Sequence, residues 1–134
     1  MLVFGCLFRV GGFGLNVGEI RRFAVVGAGI MGHGIAQLAA QSGYEVSLMD
    51  IRKEALEGAL ERIRWSLERL AERGAIPRGS VDEVVGRIWT TTSLERAVDG
   101  VDFVVEAVVE DIEVKRDVFR RMDECAPENA IFAS

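Results

Sequence analysis

The sequence has little of several things that usually decide function. It has 2 cysteines, Cys6 and Cys125, far apart and in no metal or redox spacing. That excludes a disulfide framework and a thiolate metal site, and it fits a reducing compartment. It has 1 histidine, His33, so a multi-histidine metal centre cannot be built. It has no excess of basic charge: 16 Lys and Arg stand against 21 Asp and Glu, a net charge of -5. A strongly basic nucleic-acid binder is thereby excluded as the default reading. An unbroken apolar run of about 20 residues, as a membrane span needs, is also lacking. The most apolar stretch, residues 1–20, is interrupted by glycines and by Arg9. Arg9 follows the apolar run instead of preceding it, and no A-x-A-like cleavage site comes after, so the stretch does not read as a secretory signal. It is expected to be a poorly ordered extension. No membrane partner is expected, and the expected location is cytoplasmic.

What is there is a chain of 134 residues, 49% hydrophobic and 28% charged. One domain with a real core fits that size. Glycine is abundant, 15 against 2 prolines, and several glycines are placed, not scattered. Arg22–Val26 is a short apolar run ending at glycine, as in a buried parallel strand. A helix is expected over Ile30–Gln41, with Ile30, Ile35, Leu38 and Ala39 inward, closed by Ser42 and Gly43. Glu45–Met49 reads as the second strand. A long helix is expected from Lys53 to Arg73, because Leu56, Leu60, Ile63, Leu67 and Leu70 recur at steps of four and three.

Beyond Gly74, Ser80 and Glu83 have capping-box spacing for a short helix to Val85. Ile88–Thr92 reads as a strand, and Thr92 with Glu95 as the cap of a helix through Val98. Val101–Val108 is the most strand-like run of all. Asp111–Cys125 reads as a helix with Ile112, Val114, Val118, Phe119 and Met122 inward, ended by Pro127, before a strand at Ala130–Ala133. Strands alternating with helices signify a parallel sheet with crossover helices.

Gly27, Ala28, Gly29, Ile30, Met31 and Gly32 match G-x-G-x-x-G between a strand and a helix. The first glycine permits the tight turn. The second lets a pyrophosphate approach the backbone, and the third lets the helix pack against the strand. The helix start offers unpaired N–H groups and the positive end of its dipole to phosphate. Asp50 follows about 20 residues later at the end of the second strand, where its carboxylate can accept hydrogen bonds from both ribose hydroxyls. That favours NAD over NADP, although Arg52 speaks for a 2'-phosphate. The fold class is therefore α/β, a Rossmann-type doubly wound parallel sheet, expected to be incomplete at its C-terminus. Residues 21–134 would be its NAD-binding domain. His33, next to Gly32, reads as a spectator facing the loop.

On the long helix, Glu54, Glu57, Glu61, Glu68 and Glu72 share one flank. Arg62, Ser66, Arg69 and Arg73 share the other, a basic stripe able to hold a phosphorylated ligand or simply to be solvated. Trp65 points away from the apolar stripe. Glu106 interrupts an apolar strand and needs a partner or a site there. Glu110 and Lys115 fall beyond that strand's end, where the nicotinamide half of a dinucleotide would lie, or where an ordinary surface pair would.

Three segments, VVGAGIMGHGIAQLAAQSGYEVSLMD, VDFVVEAVVEDIEVKRDVFRRMDE and AIFAS, resemble the N-terminal NAD-binding domain of the L-3-hydroxyacyl-CoA dehydrogenases. The resemblance runs from Arg22 to Ser134. It implies oxidation of (S)-3-hydroxyacyl-CoA to 3-oxoacyl-CoA with hydride passed to NAD, in fatty acid metabolism of the beta-oxidation type. It implies pyrophosphate binding at Gly27, Gly29 and Gly32, ribose binding at Asp50, and a place near the nicotinamide for Glu110 and Lys115. Ser66 matches a serine that contacts coenzyme A in the family, and Arg73 stands where the family has a CoA-contacting lysine. A CoA 3'-phosphate then becomes a guest for Arg62, Arg69 and Arg73.

The family's catalytic serine, its His–Glu pair and a catalytic Asn would all come after Ser134. So would the helical domain that dimerises and closes over the acyl chain. The expectations are no catalytic residue and no metal in this chain, no turnover by it alone, and a homodimer only where the helical domain is present. A stand-alone dinucleotide-binding module and a non-functional truncated product are the competing readings.

Overall fold

The computed structural model of the chain describes residues 9–10, 20–107, 120–121, 124 and 131–133. Its elements are β1 (Arg9–Val10), β2 (Arg22–Val26), α1 (Ile30–Gln41), β3 (Glu45–Met49), α2 (Lys53–Glu72), α3 (Ser80–Gly86), β4 (Ile88–Thr91), α4 (Leu94–Val98), β5 (Phe103–Glu106) and β6 (Ile131–Ala133). They form one sheet in the order β1-β6-β5-β2-β3-β4. The pairs β2–β3, β2–β5, β3–β4 and β5–β6 are all parallel. Counted from β2, the parallel strands follow the spatial order 3-2-1-4-5 of doubly wound dinucleotide-binding sheets. The switch point lies between β2 and β5, whose registers run Phe23↔Phe103 to Val26↔Glu106.

Alternation along the central strands builds two cores. Val25, Val46 and Leu48 face α1, α2 and α3, packing with Ala36, Ala40, Leu56, Ala59, Ile63 and Leu67. Ala24, Val26, Met49 and Val104 face the other way, onto Leu94, Ala97 and Val98 of α4. The Ser47 hydroxyl donates to the Ala97 carbonyl at 2.7 Å and so ties β3 to α4. The short apolar strands are covered on both faces, which is why they show no polar alternation.

The limits expected for β2, α1 and β3 are those observed. Other readings need correction. Ile30 and Leu38 are not inward: they are 82% and 61% exposed. The inner face of α1 is Gly32, Ala36, Ala39 and Ala40. A close crossing over the sheet selects small residues for that face and turns the large ones outward. In α2 the buried positions are Leu56, Ala59, Ile63, Leu67 and Ala71, while Leu60 and Leu70 are half-buried at the margins.

Ser80 forms no capping box. Its hydroxyl donates backward to the Pro77 carbonyl at 2.6 Å, and the cap position belongs to Gly79. The cap of α4 is Ser93, one residue later than Thr92, with its hydroxyl accepting from the Arg96 N–H at 3.3 Å. The strand expected over residues 101–108 is observed at Phe103–Glu106. Inside the segment taken for a loose extension, Arg9–Val10 pairs antiparallel with Phe132 and Ile131, and Ile20 is buried against Phe103. The edge of β6 offers unpaired backbone groups, and β1 supplies partners for them.

Candidate dinucleotide site

The switch point of the sheet lies at the carboxyl ends of β2 and β5, where this architecture places its ligand crevice. Gly27 leaves β2 with a φ of 109°, a region that side chains make costly. Its N–H donates to the Met49 carbonyl at 2.7 Å, and the Ala107 N–H donates to the Val26 carbonyl at 2.8 Å. The turn is thus sewn to both neighbouring strands. Gly32 faces it so closely that a Cβ there would lie 1.7 Å from the Gly27 carbonyl oxygen. Gly29, by contrast, has no atom within 4 Å of the place a Cβ would take. One glycine is required by contact inside the protein and the other leaves open space beside the helix start. A pyrophosphate needs that space, so the residues fit a dinucleotide.

Asp50 lies beside this loop because Val26 and Met49 are register partners. Its carboxylate accepts from the Ala28 N–H at 3.0 Å and from the Arg52 N–H at 2.9 Å. The Arg52 guanidinium stands 3.9 Å away and is largely exposed, while the Asp50 side chain is 14% exposed. Two backbone donors therefore hold the carboxylate in one place, with acceptor capacity left over for sugar hydroxyls. The clamp on Ala28 was not foreseen from sequence. The signal was present, since adjacent parallel strands that end together bring residues 28 and 50 into reach. Ile30, Met31 and Ile51 are exposed around the loop. Glu106 is 3% exposed at the end of β5, and no buried side-chain polar atom among the described residues lacks a partner. Glu110 and Lys115 lie outside the described residues.

A second feature runs along α2. Trp65, Ser66, Arg69, Leu70 and Arg73 line a shallow groove of about 360 Å³. Arg69 sits over the Trp65 ring, 5.2 Å from its centroid, and pairs with Glu72 at 3.5 Å. Trp65 is 61% exposed. The Gln37 amide donates to the Ser66 hydroxyl at 3.0 Å, which leaves the hydroxyl proton available to a ligand. Gln37 carried no sequence signal, because its contact depends on how α1 and α2 pack. The groove brings together the serine and two arginines of the basic stripe, and Arg62 lies outside its lining. A larger hollow of about 430 Å³, bordered by Arg22, Ser47, Trp89 and Arg96, lies at the amino ends of the strands. Ligands of this architecture bind at the carboxyl ends, so the glycine loop and not this hollow marks the site.

Comparison with known proteins agrees with this geometry. The family model described as 3-hydroxyacyl-CoA dehydrogenase, NAD binding domain, matches residues 22–134. The chain is 40% identical over 116 residues to a probable 3-hydroxybutyryl-CoA dehydrogenase of Bacillus subtilis, covering 87% of this chain and 40% of that protein. It is 37% identical over 120 residues to the mitochondrial hydroxyacyl-coenzyme A dehydrogenase of Rattus norvegicus, covering 86% of this chain and 38% of that one. It superimposes on the crystal structure of (S)-3-hydroxybutyryl-CoA dehydrogenase from Ralstonia eutropha with a TM-score of 0.81 and 32% identity, over 85% of this chain and 40% of that chain. The chain thus spans about two fifths of the length of the relatives it matches.

Proposed function

The chain belongs to the family of 3-hydroxyacyl-CoA dehydrogenase NAD-binding domains, and from that premise we propose the task of each part of its site. NAD is the cofactor of this domain, and it supplies a hydride acceptor. The observation that carries the reading is the Asp50 carboxylate bonded to Ala28, inside the glycine loop, at the switch point of the sheet. In our reading the loop of Gly27, Ala28, Gly29, Ile30, Met31 and Gly32 binds the pyrophosphate. The N–H groups of Gly27 and Ala28 are taken by Met49 and Asp50 and fix the turn, and the N–H groups of the helix start donate to the phosphate. Asp50 accepts both hydroxyls of the adenosine ribose and repels a 2'-phosphate. Glu110 and Lys115 serve the nicotinamide half.

The proposed substrate is a (S)-3-hydroxyacyl-CoA, oxidised to the 3-oxoacyl-CoA in fatty acid metabolism of the beta-oxidation type, in the cytoplasm. Ser66 and Arg73 are the proposed CoA contacts on α2, one a neutral donor and the other a cation for phosphate. Hydride loss from the alcohol carbon requires that the hydroxyl proton be taken. The chain holds 1 histidine, and it sits against the glycine loop. No general base for that proton is proposed among these residues. The chain alone is therefore expected to bind NAD without turning over.

Mixing the pure chain with NAD and 3-hydroxybutyryl-CoA should give no NADH above the blank, and a robust rate would overturn this part of the reading. Reversing Arg73 to Glu should weaken acyl-CoA binding roughly tenfold, the scale of one charge-assisted contact. Unchanged affinity in a competition assay would remove Arg73 from the site.

A further inference from the structure

His33 is the histidine that the reading above leaves without a task. Its Nδ1 lies 2.8 Å from the Gly29 carbonyl oxygen. The same oxygen accepts the His33 backbone N–H at 3.0 Å. A carbonyl can only accept, so Nδ1 carries the proton and Nε2 is the bare nitrogen of the neutral ring. On either side the Ala28 N–H is held by Asp50 and Gly32 packs on Gly27, but neither contact is made by the Gly29–Ile30 peptide itself. The cap residue of α1 is Gly29, without a side-chain hydrogen bond, and the first turn carries no acid. Ile30 and Met31 are exposed, so neither anchors the turn in the core. Nothing stands within 4 Å of the Cβ position of Gly29.

The Gly29 carbonyl and the Ile30 N–H belong to one rigid planar peptide, pointing opposite ways. Holding the oxygen aims the N–H. The backbone bond from His33 belongs to the helix and would exist with any residue at this position. The imidazole bond adds a second donor, anchored to the same turn, on a peptide that follows the most pliable residue type.

We propose that His33 is a positioning residue for the dinucleotide pyrophosphate. Its Nδ1–H clamps the Gly29 carbonyl and so presents the Ile30 N–H to a phosphate oxygen. The inference rests on the NAD reading of the same loop. The clamp does not depend on ring charge, because neutral and protonated rings can both donate from Nδ1.

Two measurements test it. The first is binding of NAD, ADP and adenosine to the parent chain and to His33→Ala and His33→Asn. The alanine variant should bind NAD and ADP roughly three- to tenfold more weakly, the range of one neutral hydrogen bond. Adenosine affinity should stay level, and asparagine, whose amide can donate to the same oxygen, should restore most of the loss. Equal weakening of all three ligands, no weakening of NAD, or no rescue by asparagine would overturn the clamp. The second is the tautomer of the histidine ring in the free parent chain, read from its nitrogen shifts, and it depends on no variant folding. The Nδ1–H form is expected, and a predominant Nε2–H form would overturn the proposal. A parent chain that binds no NAD would instead refute the dinucleotide reading and the clamp with it.

Discussion

Gly32 has no room for a side chain, because the Gly27 carbonyl oxygen would lie 1.7 Å from its Cβ. Gly32→Ala should push α1 off β2 and cost at least about 1–3 kcal/mol, the range of overpacked cores. It should also weaken NAD, and denaturant titration with a parallel binding assay reads both. Asp50 works at the same scale but through charge. In Asp50→Asn the amide oxygen can still accept from Ala28, so the loop survives while the carboxylate is lost. The expected result is a roughly ten- to hundredfold loss of NAD affinity, the worth of hydrogen bonds to a charged group. Preference for NAD over NADP should shrink with it, and an unchanged preference in parallel titrations would show that Asp50 does not read the ribose. What the sequence showed here was type and spacing. The bond from Ala28 to Asp50 and the bond from His33 to Gly29 are contacts made by the folded turn: strand register and a four-residue step bring the groups into reach, and the turn decides that they bond.

Among the elements, α2 carries the sharpest contrast. Ile63 is fully buried and Trp65, two residues on, is exposed. Ile63→Ala should cost about 2–5 kcal/mol, whereas Trp65→Ala should cost no more than about 1 kcal/mol, the worth of an exposed cation–π pair. Denaturation midpoints of the two variants check the pair together. At α4, its own backbone N–H, the Arg121 guanidinium and the Ser93 hydroxyl hold the Glu95 carboxyl below the usual carboxylate range. A lowered folded-state value means stability that is present above the ordinary value and lost as pH falls through the lowered one. The effect is small at so exposed a group. Melting temperature should fall slightly less from neutral to acid in Glu95→Gln than in the parent, and an equal fall would contradict the assignment.

The limits of β2 and β3 are legible residue by residue, whereas α2 ends at Glu72, one residue before the expected Arg73, and buries Ala59 and Ala71 where Leu60 and Leu70 were expected. The caps are not legible in that way, since Ser80 and Thr92 each have the right type and spacing, yet Ser80 turns back to Pro77 and the adjacent Ser93 takes the cap of α4. The inner face of α1 departs from the expectation for another reason: closeness to the sheet, not side-chain size, decides burial there and selects Gly32, Ala36 and Ala40.

At the scale of the whole molecule, strand order is what turns separate motifs into a site. The order β4-β3-β2-β5-β6 places the glycine loop, Asp50 and the end of β5 around one crevice. Neither the crossover between β4 and β5 nor the antiparallel addition of β1 could be derived from any one segment, because both are pairings between distant parts of the chain. The basic groove on α2 shares no lining residue with the glycine loop. This fits a division of labour in which one chain segment grips NAD and a separate helix face receives the CoA moiety of the proposed substrate.

The chain is an NAD-binding domain, and the selectivity proposed for it rests on Asp50. Calorimetric titration of the pure chain with NAD and then with NADP tests it most directly. The account predicts saturable binding of one NAD per chain and at least roughly tenfold weaker binding of NADP, one charge-assisted contact's worth. No heat with NAD, or equal affinity for the two, would contradict it.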